Sequence, residues 1–385
     1  MKIVYSKGLF SSFIIILLLQ GCRLVNKKNI DQIDSDTGKS NIELLVGTNT
    51  NNESKGIYKL VLDTITGKLS GKTLLVESQN PGYLYISKNN SKVYSSNSTS
   101  PGSISVYEWN ESRSILKLIG DYPSNGNGAC YIELNPSERL LSAANFATGG
   151  IVVYPINENG DVAGKAQTIN HTGRGPHPNQ KSAHAHCVKF SESGKYLYAV
   201  DLGIDKILLY NINADDGLLS QQRTALKLDP GDGPRHLIFH PSNQMSFVVN
   251  ELSSTVVSAR VNHITGEFEP IDKQSTLPMN FIGKNSSADI QISPNGKFLY
   301  ASNRGHNSIA VFSISENGKM KLLQNQSVLG DWPRNFVLSP DGKFLLVANQ
   351  RSNSINVFRI DQTNGQLKYT GNKIYIDRPM CLKFY

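Results

Sequence analysis

Residues 288–314 read ADIQISPNGKFLYASNRGHNSIAVFSI, and residues 334–360 read RNFVLSPDGKFLLVANQRSNSINVFRI. The two stretches align without a gap. Each opens on an apolar run, turns at Asn295-Gly296 or Asp341-Gly342, runs apolar again to Asn303 or Asn349, turns through polar residues and ends in a third run. Asn-Gly and Asp-Gly pairs between alternating runs are hairpin signals, because tight turns demand positive φ. The same pattern occupies residues 186–212 (HCVKFSESGKYLYAVDLGIDKILLYNI) and 235–261 (RHLIFHPSNQMSFVVNELSSTVVSARV). A fourth, weaker strand follows each, after turns such as Asp216-Gly217, Thr265-Gly266 and Asn364-Gly365. No stretch beyond the N-terminal leader sustains a helical apolar stripe, so the reading is all-β.

Working outward, two degenerate copies begin near residues 82 and 130, making six units. Residues 42–74 supply a second, third and fourth strand without a first. Arg378-Pro379-Met380-Cys381-Leu382-Lys383-Phe384-Tyr385 supplies a first strand with nothing after it. Together they complete a seventh unit. Repeats of this period close into a seven-bladed β-propeller, with the C-terminal strand pairing with the N-terminal strands; closure leaves only short, protected sheet edges. An open solenoid or a two-sheet sandwich has no use for complementary half-units at the chain ends.

The first 22 residues read as a targeting segment. Lys2 and Lys7 precede the apolar run Phe13 to Leu19, which is too short to span a bilayer. Leu19-Gln20-Gly21-Cys22 resembles a lipobox, which predicts a lipoprotein signal peptide over 1–22, acylation of Cys22 and a place in the cell envelope outside the cytoplasm. An ordinary secretory signal is the alternative. Residues 23–41 are polar and aperiodic, as a tether is, and the propeller domain is placed over 42–385. Cys130, Cys187 and Cys381 match no metal spacing and read as small buried residues. The net charge of +8 comes without basic runs interleaved with aromatics, which argues against nucleic acid and suits an anionic small molecule. A monomer is expected.

In each blade the start of the first strand and the end of the second share one face of the ring. The aligned starts are Gly82, Cys130, His186, Arg235, Ala288, Arg334 and Met380; the second strands end at Asn97, Asn145, Asp201, Asn250, Asn303 and Asn349. Recurrent Asn at these ends reads as a structural cap on the following turn. His186, Arg235 and Arg334 do not recur, and neither do Glu251 and Arg304. One carboxylate, imidazoles and three guanidiniums around a channel mouth suit an anionic ester or lactone. Arginine binds anions through paired donors. Glu251 is a general base or general acid; His186 shares that role or stabilises an oxyanion. The alternative for Arg235 and Glu251 is an ion pair bracing one blade. The polar stretch 170–185 (NHTGRGPHPNQKSAHA), with Arg174, reads as a lid or as an irregular surface loop. His171 and His177 are read as loop residues. One Glu among amides and arginines is a poor cation site, so no metal is expected.

The stretches Gly233-Pro234-Arg235-His236, Asn250-Glu251-Leu252, His184-Ala185-His186, Asp201-Leu202-Gly203, Asn303-Arg304 and Trp332-Pro333-Arg334-Asn335 resemble the seven-bladed lactonases, a family that includes 6-phosphogluconolactonases and carboxymuconate cyclases. The resemblance spans 42–385. It implies His186, Arg235, Glu251 and Arg304 as the catalytic set, with His236, Arg334, Asn335, His184, Asp201 and Asn250 around the substrate. It further implies cofactor-free hydrolysis of 6-phosphogluconolactone to 6-phosphogluconate. That substrate is cytosolic, at odds with an exported chain, so a different sugar lactone is also open. A non-catalytic propeller binding an envelope glycan or protein, and a lactonising cyclase, are the competing readings.

Overall fold

The computed structural model describes residues 41–385; the leader, Cys22 and residues 23–40 of the tether lie outside the described residues. Those described form 28 strands and no helix, arranged as seven four-stranded antiparallel sheets. Six blades are contiguous in sequence, over residues 81–123, 129–170, 185–227, 234–275, 286–327 and 333–375. The seventh joins Pro379–Phe384 to Asn41–Thr48, with Leu44 opposite Phe384 and Gly47 opposite Cys381. The first strand of every blade contacts that of the next, and the succession returns to its start, so the ring is closed.

The hairpin glycines do what the repeats require: Gly194, Gly296 and Gly342 lie at φ +71, +73 and +69. Burial grades outward. Second strands such as Phe344–Asn349 are buried throughout, whereas fourth strands such as Leu367–Tyr375 alternate between buried and open positions. Between the fifth and sixth blades, Tyr300, Phe336, Leu345 and Phe358 interdigitate without exposure. Each such side chain contributes about 1.5–3 kcal/mol by leaving water.

The ladder between first and second strands breaks at the same place in all seven blades. Pairing steps from Pro81 to Tyr83, Ala129 to Tyr131, Ala185 to Cys187, Pro234 to His236, Ser287 to Ile290, Pro333 to Asn335 and Pro379 to Cys381. The residues passed over include Gly82, Cys130, His186, Arg235, Ala288, Arg334 and Met380. A β-bulge leaves its extra residue unpaired and re-aims that side chain. Each blade therefore presents one freely chosen residue at the channel mouth.

The recurrent asparagines are structural, but by a different bond from the expected turn cap. Asn250, Asn303 and Asn349 donate across to the hydroxyl five residues on, at Thr255, Ser308 and Ser354. They tie the second strand to the third rather than capping the turn between them.

Candidate active site

The bulges of the third, fourth and sixth blades bring His186, Arg235 and Arg334 to one side of the mouth. Glu251, just past the second strand of the fourth blade, and Arg304, at the end of the second strand of the fifth, complete the cluster. Gly233 makes the approach possible. It holds φ +61, and a Cβ there would collide with Leu252 beside Glu251.

Glu251 is the hub. Its Oε2 lies 2.9 Å from Arg235 Nε and 2.8 Å from Arg304 Nη2, and its Oε1 accepts from Ser286 Oγ at 3.1 Å. Burial pushes its carboxyl up, but Arg304, Arg235 and Arg334 outweigh burial and hold it at about 2. Glu251 is therefore a fixed anion and cannot serve as a general acid near neutrality. Arg304 donates further to Ser286 O and Ser287 O. Arg235 is 2% exposed and donates to Ala288 O at 2.6 Å, with His236 Nε2 3.0 Å from its Nη1. The bracing pair considered for Arg235 and Glu251 is present, and it draws in Arg304.

The two remaining groups differ. His186 is buried, and neither ring nitrogen has a hydrogen-bond partner among the described residues; Nδ1 is also shut from solvent. Burial, reinforced by Arg235, His236, Arg334 and Arg304, drives its pKa well below 6.5, so the ring is neutral. Phe146 and His236 pack edge-on against it, at 5.4 and 5.2 Å between centroids. Arg334 is half-buried and has no hydrogen bond or ion pair among the described residues. Burial and the neighbouring Arg235 and Arg304 lower its pKa to about 9, which still leaves it charged at neutral pH. A neutral imidazole and an uncommitted guanidinium thus face the channel together. Buried polar atoms are usually paired; His186 Nδ1 is one of ten among the described residues without a hydrogen bond, and it lies within the cluster of arginines.

Several expected contact residues are spent on internal bonds. His236 Nδ1 meets Asp289 Oδ1 at 2.8 Å, and burial and Arg235 lower its pKa to about 4. With Arg235 donating to Nε2, its proton sits on Nδ1. Asn335 donates to the other oxygen of Asp289 and accepts from the Leu382 amide. Asn250 is fully buried on Thr255. Asp201 is fully buried too, taking His171 Nδ1 at 2.7 Å, the His184 amide and the Gly203 amide. His236, Asn335 and Asp201 are thus committed to internal partners, whereas Asn250 bonds Thr255 through its amide nitrogen and keeps a buried Oδ1 with no partner among the described residues. His184 remains at the rim, stacked on Phe146 and bonded to its carbonyl.

The 170–185 stretch is strapped down rather than free to act as a lid. His171 is buried against Asp201 and 3.1 Å from the Tyr210 hydroxyl, while Gln180 reaches Leu202 O and Asp205 Oδ1. His171 is thus a structural staple, and Arg174 is left exposed on the outside of the loop. Below the histidines, Tyr83 and Tyr131 stack at 4.1 Å as a buried floor. Burial raises the thiols of Cys130 and Cys187 to about 12 and that of Cys381 to about 11, so none is a thiolate nucleophile.

Ser286 and Arg351 carry parts of the mouth that the sequence did not single out, and Asp289 and Trp332, which lie in the aligned or family-like stretches, were given no role there. Trp332 and Arg351 flank positions already aligned across the repeats, and an indole among arginines was the available signal.

A ring of seven blades whose mouth gathers guanidiniums around a neutral histidine defines a propeller suited to an anionic substrate with a reactive, electrophilic carbonyl. The chain belongs to the seven-bladed β-propeller lactonases, whose family model matches residues 43–384. A 6-phosphogluconolactonase of Bacillus subtilis is 33% identical, with 88% of this chain and 97% of the relative covered. A solved protein from Lactobacillus plantarum superposes with a TM-score of 0.84 at 33% identity, covering 90% of this chain and 99% of that one. A periplasmic gluconolactonase of Pseudomonas aeruginosa superposes at 0.82 with 29% identity, covering 90% and 99%. The chain is a lactonase, and hydrolysis of sugar lactones is the activity its family supports.

Proposed function

We propose that the mouth hydrolyses a sugar lactone, with 6-phosphogluconolactone to 6-phosphogluconate as the reference reaction, and that His186 is the base. The observation that carries this reading is an uncharged histidine with no hydrogen-bond partner, set among three guanidiniums. A water between His186 and the lactone carbonyl gives its proton to the imidazole as its oxygen bonds to the carbonyl carbon. Arg334, which has no competing anion, takes the oxyanion, where a preorganised cation is worth most. As the intermediate collapses, the ring C–O bond breaks and the imidazolium returns the proton to the departing ring oxygen, leaving an alcohol and a carboxylic acid, which loses its remaining proton to solvent. Glu251 holds Arg235 and Arg304 in place and keeps the excess positive charge from expelling them. Glu251 is thus saturated by guanidiniums, a donor set that repels a metal cation.

Purified residues 23–385 assayed on phosphorylated and plain sugar lactones test the activity. Rates are read at slightly acid pH, above spontaneous opening. If no lactone is turned over, a binding role replaces this one. The lipoprotein address belongs to the same proposal: the Pseudomonas relative is named as periplasmic, and the leader ends in Leu19-Gln20-Gly21-Cys22. Cys22→Ser should release a soluble protein on fractionation, and a mutant still held at the membrane would refute acylation at that site.

A further inference from the structure

The mouth has an outlying cation that the hydrolytic chemistry does not use. Trp332, immediately before the first strand of the sixth blade, lies at φ +65, a region bulky side chains rarely enter. Two bonds hold it there: its amide donates to Asn307 Oδ1 at 3.0 Å, and its carbonyl accepts from the Gln350 amide at 3.0 Å. The indole then serves two arginines. Arg304, paired with Glu251, lies 5.3 Å from the ring centroid, and Arg351 lies over the ring at 3.4 Å. Arg351 is exposed, and its guanidinium has no hydrogen bond or ion pair among the described residues. Its charge is felt at Arg304, whose pKa is lowered by burial first and by Arg235 and Arg351 as well. Stacking fixes the plane of a guanidinium while leaving its edge donors free, which is how arginine is readied for a two-pronged anion contact.

We propose that Arg351, seated on Trp332, is a specificity-determining subsite for a second anionic group on the lactone, a phosphate or carboxylate remote from the reacting carbonyl. The proposal rests on the lactonase reading of the mouth. In it, Arg334 takes the carbonyl oxygen, and Arg351, one indole beyond Arg304, takes the distal anion. A surface arginine merely stacked for packing would not discriminate between charged and neutral lactones.

The test is the ratio of kcat/KM for 6-phosphoglucono-1,5-lactone to that for neutral glucono-1,5-lactone, measured for the parent, Arg351→Ala and Arg351→Lys. A lost charge-assisted contact is expected to lower the ratio about tenfold in Arg351→Ala, carried by KM, with Arg351→Lys falling between. A glucarolactone arm separates the two anions. An equal fall there assigns any distal anion, and a fall confined to the phosphorylated substrate assigns phosphate. A ratio unchanged by Arg351→Ala overturns the subsite. If the parent opens no lactone, the lactonase reading fails separately. The subsite then stands or falls on calorimetry, where 6-phosphogluconate must bind the parent more tightly than gluconate does and lose that advantage in Arg351→Ala.

Discussion

In the proposed mechanism Glu251 and His186 exchange the roles their residue types first suggest. A carboxylate beside water and a ring oxygen invites the part of acid or base, but two guanidiniums spend its charge. The histidine is left as the group whose state can change. His186→Ala is expected to lower kcat by about 10²–10⁴, the usual worth of general acid–base catalysis, with a smaller effect on KM. The pH profile carries a sign. A base works unprotonated, and the pKa of His186 is depressed, so kcat/KM should stay level through neutrality and fall only well below pH 6.5. An acid limb at or above 6.5 would point to another base. Glu251→Gln should act differently, since it leaves Arg235 buried without its counterion. The cost expected for breaking such a pair is about 3–5 kcal/mol of stability, readable by denaturant unfolding, with kcat reduced less than in His186→Ala. Unchanged stability with a larger kcat loss would restore Glu251 as the base. The sequence showed which residues reach the mouth but not where their hydrogen bonds go. Aligned repeats put His236, Asp289 and Asn335 at the same place in three neighbouring blades, but alignment fixes height along a strand and does not show that Asp289 bonds both of the others.

Hairpins and strand ends were the legible part of each element, because Asn-Gly and Asp-Gly turns are written in local residues. The bulge was half legible. Aligning the repeats isolates His186, Arg235 and Arg334 as non-recurring, but nothing in a single strand announces that its second residue leaves the ladder. Of the two readings of 170–185, the irregular surface loop holds and the lid does not, for a related reason. Its polar composition reads as solvent-facing, yet His171 and Gln180 are polar residues buried on polar partners. The asparagines at second-strand ends offer a direct measurement. Asn303 accepts from Thr276 Oγ1, Ser287 Oγ and Asn285 Nδ2, and it donates to Thr276 O and Ser308 Oγ, all inside the protein. Asn303→Ala removes all five bonds, while each partner group keeps another within the protein. At about 0.5–1.5 kcal/mol net for each bond, a loss of at least about 2 kcal/mol in unfolding free energy is expected. A loss below about 0.5 kcal/mol would mean the network is decorative.

Closure governs the whole molecule. Pro379–Phe384 is the innermost strand of the blade that joins the two ends of the described chain, so its removal opens the ring rather than trimming an edge. Deleting residues 378–385 should expose channel-lining edges and bring aggregation, or a broadened and lowered melting transition. A truncated protein that melts like the parent would contradict the ring. This architecture was the most legible feature of all, since complementary half-blades admit few other solutions. Chemistry was less so, because the mouth draws on four different blades. The bulged residues also carry a meaning for altering this protein at will. Each sits outside the ladder, so its side chain can be exchanged with little disturbance to strand pairing. Gly82, Cys130, Ala288 and Met380 hold four of the seven positions without charge. Gly82, where an added Cβ would meet nothing closer than 3.7 Å, is the position to vary first, whereas Ala288 is fully buried with its carbonyl on Arg235 and its exchange would disturb the cluster.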